Sequence, residues 1–309
     1  MNRFKNILFF ADHHGGLEST LDRVISLLRT NSARLTIMDV TPESGLADYI
    51  NQTYSIDLNA QLREERLKAL EQTIQPYIDM GIPIYTKVVT GIPFIEVIRA
   101  VQRNHYDLVM KVAQHDTSLK ASLFGSTDMH LLRKCPCPVW IDHLQNETTY
   151  HRILATVDPL DDESAELQHL IMDLATSMAE REHATLDVVH AWDLPGESML
   201  ANGRGRIARH ELDSLLEMKE KRHRQALDNL LSNFNLDSQA DNVHLIKGKA
   251  AQVISNFATE GNVDLIVMGS LGRAGIPGLF IGNTAEEVLR ETKAAALTVK
   301  PAGFVTPIQ

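Results

Sequence analysis

The chain repeats itself. Gly91 and Gly248, Asp107 and Asp264, and Gly125 and Gly282 are each 157 positions apart, and Trp140-Ile141 matches Leu297-Thr298 in the same register. Each half also begins with an apolar run that ends in aspartate, Asn6–Asp12 in the first and Arg152–Asp158 in the second. A further pair of matching stretches is Ala33–Val40 and Ala184–Ala191. One offset held over so many positions means that a single folding unit is used twice, so whatever architecture one half adopts the other adopts as well.

The pattern within a half alternates strand and helix. In the second half the apolar runs Ile153–Val157, Leu186–His190, Val243–Ile246, Leu265–Met268 and Ala296–Val299 predict five strands. Between them, Ala165–Ala179 carries Leu167, Leu170, Ile171, Leu174 and Met178 at helical spacing. Leu212–Leu231 predicts a long helix, and Ala250–Thr259 and Thr284–Glu291 predict shorter ones. Strands alternating with helices imply two tandem doubly wound α/β domains, each on a five-stranded parallel sheet. The polar stretch Gln145–Thr149 divides them, which places the domains at residues 1–146 and 147–309.

Composition narrows the function. A chain of 309 residues suffices for two cores, and it holds no apolar run long enough to span a membrane. A formal charge of −10 argues against nucleic-acid binding as the main task. The two cysteines form only Cys135-Pro136-Cys137, which reads as a helix-to-strand turn in a reducing compartment and lacks the second ligand pair of a zinc site. The histidines of the first half, His13, His14, His105, His115, His130 and His143, read as surface or capping residues, with a shared zinc site as the alternative. Arg63-Glu64-Glu65-Arg66 reads as the solvated face of a helix whose other face carries Leu67, Leu70 and Ile74.

The chemistry concentrates behind the fourth strand of the second half. Gly269 and Gly272, then Gly282-Asn283-Thr284 at a helix start, offer backbone amides that no Cβ screens, which is an anion site. In a parallel sheet the ligand crevice lies beyond the carboxyl ends of the strands. Asp158 and Ala191 end the first and second strands there. Asp158 is placed to accept from a sugar hydroxyl or a base amine, and the backbone at Ala191 to pair with a base edge. Asn283 followed by Glu286 suggests a capping box. The run Gly203-Arg204-Gly205-Arg206 imitates a dinucleotide fingerprint, but Met199–Asn202 before it reads as loop. Its arginines lie in the loop after the second strand. Lys247-Gly248-Lys249 reads as a solvated turn.

A Gly-x-x-Gly pair, nine residues and a Gly-Asn step after a strand resemble the signature of the universal stress protein family, here Gly269, Gly272, Gly282 and Asn283. Both halves share the resemblance, including Val299-Lys300-Pro301, and Phe124–Pro136 is similar to the tandem branch of that family. The resemblance implies an adenine nucleotide alpha hydrolase-like fold that binds ATP, with Mg²⁺ accompanying the phosphates. The nucleotide would be lined by Asp158, Ala191, Met268, Gly269, Gly272, Gly282, Asn283 and Thr284. It also implies a stress-induced cytoplasmic regulator with a protein partner, and pairing through the fifth strands, either as an intramolecular pseudo-dimer or as a homodimer. In the first half Val112 stands where Gly269 would be and His115 where Gly272 would be. Those side chains are expected to fill the phosphate path, leaving ATP to the second half. A slow ATP hydrolase and a scaffold or small-ligand protein using the first crevice are the competing readings. No Walker lysine or evident base supports the hydrolase.

Overall fold

A computed structural model describes residues 3–12, 17–43, 45–113, 124–143, 149–160, 165–203, 206–270 and 282–309. The first half runs β1 (Asn6–Phe10), α1 (Leu17–Asn31), β2 (Arg34–Thr41), α2 (Gly45–Tyr54), α3 (Leu58–Asp79), β3 (Ile84–Thr90), α4 (Pro93–Asn104), β4 (Leu108–Val112), α5 (Ser126–Lys134) and β5 (Val139–Asp142). The second runs β6 (Arg152–Thr156), α6 (Ala165–Glu182), β7 (Thr185–Trp192), α7 (Glu197–Asn202), α8 (Arg209–Leu231), β8 (Val243–Lys247), α9 (Ala250–Glu260), β9 (Leu265–Gly269), α10 (Asn283–Glu291) and β10 (Ala295–Val299).

All ten strands form one sheet in the order β3-β2-β1-β4-β5-β10-β9-β6-β7-β8. Within each half the ladders are parallel, and the halves meet where β5 and β10 pair antiparallel, Trp140 opposite Leu297. The expected edge-to-edge union of the fifth strands is therefore an intramolecular seam. Its strands read as unbroken apolar runs because helices cover both faces of the sheet; β1, β4 and β10 are buried throughout. One core packs the sheet against α1, α3, α6 and α8, and the other packs its reverse face against α4, α5, α9 and α10. Each core is continuous across the seam.

The repeat is visible as repeated physical tasks. Asp107 accepts the amides of Lys5 and Asn6 at the start of β1, and Asp264 accepts those of His151 and Arg152 at the start of β6. Gly91 (φ +152°) and Gly248 (φ +155°) each turn the chain from a strand into a helix. A Cβ there would lie 2.8 Å from Glu96 Cγ or Val253 Cγ2. Gly125 and Gly282 are the N-caps of α5 and α10.

The segment Met199–Asn202, expected as loop, belongs to helix α7, which Gly196 opens in a left-handed conformation and Gly203 closes. A single turn and a half is too short to show periodicity in the sequence. Lys247 is not a bare solvated cation either: it pairs with Glu197 of α7 at 2.6 Å. The charge run on α3 lies on the outer face, with Leu70 and Ile74 buried beneath it.

The seam has a polar lock on one side. Asp142, at the end of β5, accepts from Arg23 of α1 at 2.6 Å and from the Tyr150 hydroxyl at 2.9 Å, while Trp140 Nε1 donates to that hydroxyl at 3.1 Å. The Arg23 guanidinium also stacks 3.8 Å above the Tyr150 ring. Burial raises the Asp142 carboxyl above its ordinary pKa, with Arg23 and Tyr150 opposing it. Tyr150 thus ties the entrance of the second half to the last strand of the first.

Candidate functional site

The strand order reverses between β1 and β4 in the first half and between β6 and β9 in the second, so each half has a crevice above that pair. In the second half Asp158 follows β6, Gly269 ends β9 and α10 begins nearby, as Gly282 N–H donates to Ser270 O at 2.8 Å. Asp158 is held through its backbone, whose N–H donates to Gln168 Oε1 of α6 at 2.8 Å. Strand β7 continues to Trp192 although its ladder with β6 ends at Thr156 opposite Val189, so Ala191 stands past the end of β6 beside the crevice. Gly272 lies outside the described residues, as do His115 and Arg204; Arg206 is exposed.

The start of α10 differs from the expected capping box. Gly282 is the N-cap, Asn283 is the first helical residue, and no side chain caps the helix among the described residues. Glu286 is turned away to salt bridges with Arg133 of α5 at 2.7 Å and Arg290 at 2.5 Å. The leading amides of α10 are therefore left with the positive end of the helix dipole and no carboxylate of the described residues upon them. Asn283 is exposed, and Gly282 and Thr284 are half-buried. Met268 is buried in the core against the sheet, so it forms floor and presents no donor. Gly269 has a packing task of its own: a Cβ there would come within 3.2 Å of Leu167 Cδ2 on α6.

The first crevice is built from the same backbone and filled differently. Lys111, fully buried on β4, reaches Asp12 after β1 at 3.1 Å, Asp128 of α5 at 2.9 Å and the carbonyl of Val112 at 2.7 Å. Asp128 also takes the Gly125 amide at 2.8 Å, so the protein's own carboxylate occupies the start of α5. The residues at the corresponding positions of the second half are Met268 and Ala285, which supply neither the amine nor the acid. Strand alternation turns Val112 into the core on the α1 side, and the group on the crevice side is its neighbour Lys111.

Sequence reasoning missed this triad because its members are far apart in the chain, although a lysine within Leu-Val-Met-Lys-Val is a signal that a buried strand carries a paired charge. It also missed a buried histidine pair beneath the second crevice. His190 Nδ1 lies 3.0 Å from Val157 O and its Nε2 lies 2.8 Å from His223 Nδ1 on α8. A carbonyl only accepts, so Nδ1 of His190 carries a proton, and one further proton is shared between His190 Nε2 and His223 Nδ1. This chain steadies the residue preceding Asp158. Of the first-half histidines, His130 stacks on Phe94, His143 packs edge-on to Phe124 and His105 ends α4. Among the described residues no three His, Cys, Asp or Glu side chains gather into a metal site.

Comparison with known proteins agrees with the repeat. The family model "Universal stress protein family" matches residues 3–143 and again 149–300. The chain is 28% identical over 329 residues to Universal stress protein E of Photorhabdus laumondii, covering 100% of this chain and 99% of that one. It is 24% identical over 320 residues to the Universal stress protein E homolog of Haemophilus influenzae, covering 97% and 98%. Among solved structures it resembles a universal-stress-type protein of Pseudomonas aeruginosa UCBPP-PA14 (TM-score 0.74, 24% identity, 97% and 94% covered). A universal stress protein of Archaeoglobus fulgidus is also similar (TM-score 0.60, 18% identity, 95% and 98% covered). With both halves matched, the chain belongs to the universal stress protein family, in its tandem two-domain form.

Proposed function

We propose that this chain is an ATP-binding regulatory protein that holds its nucleotide in the second half. The carrying observation is the contrast at the two helix starts. Asp128, paired with Lys111, sits at the start of α5, whereas Ala285 leaves the start of α10 to an anion from outside. In this reading Gly282, Asn283 and Thr284 give amides and a hydroxyl to the phosphates, and the loop from Gly269 through Gly272 gives them room. Asp158 takes the ribose, and the backbone at Ala191 reads the base. The acid supply suits Mg²⁺ only as a partner of the phosphates, with water completing its shell, since the described residues offer no protein cage. The nucleotide would set the shape of the loops after β7 and β9, which a partner protein reads. A cytoplasmic location belongs to the same reading.

Equilibrium titration of labelled ATP against the full chain tests it. One ATP per chain is expected, and Ala285→Asp, which copies the first half's carboxylate, weakens binding about tenfold or more by placing an anion where the phosphate charge would lie. Two equivalent sites, or affinity untouched by Ala285→Asp, would reject the assignment.

A further inference from the structure

The turn Cys135-Pro136-Cys137 lies at the seam, and it is more than a connection. The two sulfurs are 3.6 Å apart, in contact though not bonded. Cys135 is fully buried as the C-cap of α5, while Cys137 is partly exposed. The other half supplies a cation to this place. Lys300, which follows β10, is buried with its ammonium donating to Leu132 O of α5 at 2.9 Å. A buried ammonium needs an anion nearby. Burial lowers Lys300 to about 8, and the two cysteines oppose that fall. Burial works against a thiolate on Cys135, but the S–H of Cys137 and the Lys300 charge outweigh it and bring that thiol below its ordinary value. Sharing its proton with Cys135, ahead of burial, drives Cys137 well above its own. In the singly ionised pair the one remaining proton is shared between two touching sulfurs beside the Lys300 ammonium.

We propose that Cys135 and Cys137 form a peroxide-responsive dithiol that closes reversibly to a disulfide, with Lys300 as its charge partner and final proton donor. The proton on Cys137 passes to Cys135, and the partly exposed Cys137 thiolate attacks hydrogen peroxide. The O–O bond breaks, leaving a sulfenic acid on Cys137 and releasing hydroxide, which takes the proton from Cys135. The Cys135 thiolate then attacks the Cys137 sulfur, the S–S bond forms and a second hydroxide leaves. Lys300 neutralises it and becomes an amine. The sum is two cysteines oxidised by two electrons, one peroxide reduced to two waters, and one lysine deprotonated. The neutral amine still donates to Leu132 O, so the disulfide form removes a buried charge from the seam without breaking that bond.

These are the chain's only two cysteines, which makes the test unambiguous. The reduced full chain, exposed to peroxide, is expected to lose both free thiols together and about 2 Da of mass, with an internal cross-link that dithiothreitol reverses. Lys300→Met is expected to oxidise roughly tenfold more slowly near neutral pH, because the thiolate fraction falls tenfold for each unit the thiol pKa rises. If that variant does not fold, the unaltered chain decides. Its oxidation rate should fall distinctly less from about pH 8 to about pH 7 than the roughly eightfold of a free thiol of ordinary pKa. Persisting thiols, sulfinic acid or chain-to-chain cross-links in place of the internal bond would overturn the proposal. So would a Lys300→Met rate equal to the parent's, or a pH profile as steep as the free thiol's roughly eightfold fall.

Discussion

Two crevices built on one backbone plan have been finished in opposite ways. In the first half Lys111 gathers Asp12 and Asp128 into a buried ionic knot, and the helix behind it is capped by its own chain. In the second half Met268 and Ala285 hold the same places, and the helix start carries no side-chain cap among the described residues. The lesson is that one backbone plan accepts either a buried ion cluster or an apolar lining at the same positions. The seam shows the same asymmetry: Asp142 closes a polar lock with Arg23 and Tyr150, whereas the matching position at the end of β10 is the apolar Val299.

The strongest way to break the comparison is Lys111→Met, which gives the first half the second half's residue. It strands two carboxylates and is expected to cost about 3–5 kcal/mol in urea unfolding, because the loss of one partner leaves buried charge uncompensated. Adding Asp128→Ala should recover a large part of that loss, since exchanging a buried ion pair for apolar groups is often nearly neutral. A double mutant no more stable than the single one would mean that the knot is not a coupled unit.

Tyr150→Phe is next in size. It removes a donor from Asp142 and an acceptor from Trp140, and a loss of about 1–3 kcal/mol is expected from denaturant midpoints. A change within error would show that the lock on the first side of the seam carries no stability.

A pH comparison separates the two halves by sign. Burial is the largest influence on Asp187 of the second half, but hydrogen bonds from Arg152 and His244 outweigh it and hold the carboxyl below 3.8. Its stabilisation is present above 3.8 and fades as pH falls through the lowered value. Asp142 is raised above 3.8, so its charged form is disfavoured by folding and its contribution declines as pH rises through that interval. Asp187→Asn should flatten the acid limb of the stability curve and Asp142→Asn should steepen the net gain above it, as read from urea midpoints between about pH 3 and about pH 6. Equal slopes for both variants would contradict the assignment.

The smallest effect belongs to Met268→Leu. A volume-conserving swap on the core floor should cost under about 1.5 kcal/mol and leave nucleotide titrations little changed. A large binding loss would make Met268 a direct contact after all.

The architecture was legible in the sequence because its signals are local. Glycines at Gly91, Gly248, Gly125 and Gly282 mark turns and caps, and the apolar runs mark strands covered on both faces. The pairing of β5 with β10 was legible too, since both are short, apolar and last in their halves. The ionic knot was not, because it joins the end of β1, the middle of β4 and the first turn of α5, and only the fold brings them together. Asn283 was read as a cap because asparagine prefers that place; the chain instead uses Gly282 and leaves Asn283 exposed. Helix α7 escaped because six residues carry too few apolar positions to set a period.

The antiparallel union of β5 and β10 has a consequence for how such molecules can specialise. When two identical chains associate about a two-fold axis, every substitution is written twice, so a lysine buried in one copy is buried in its twin. Joining the two copies in one polypeptide frees each from its mirror image. The partnership survives through the ribbon of β5 and β10, while each lobe is free to change its own lining, as Lys111 and Met268 at matching positions show.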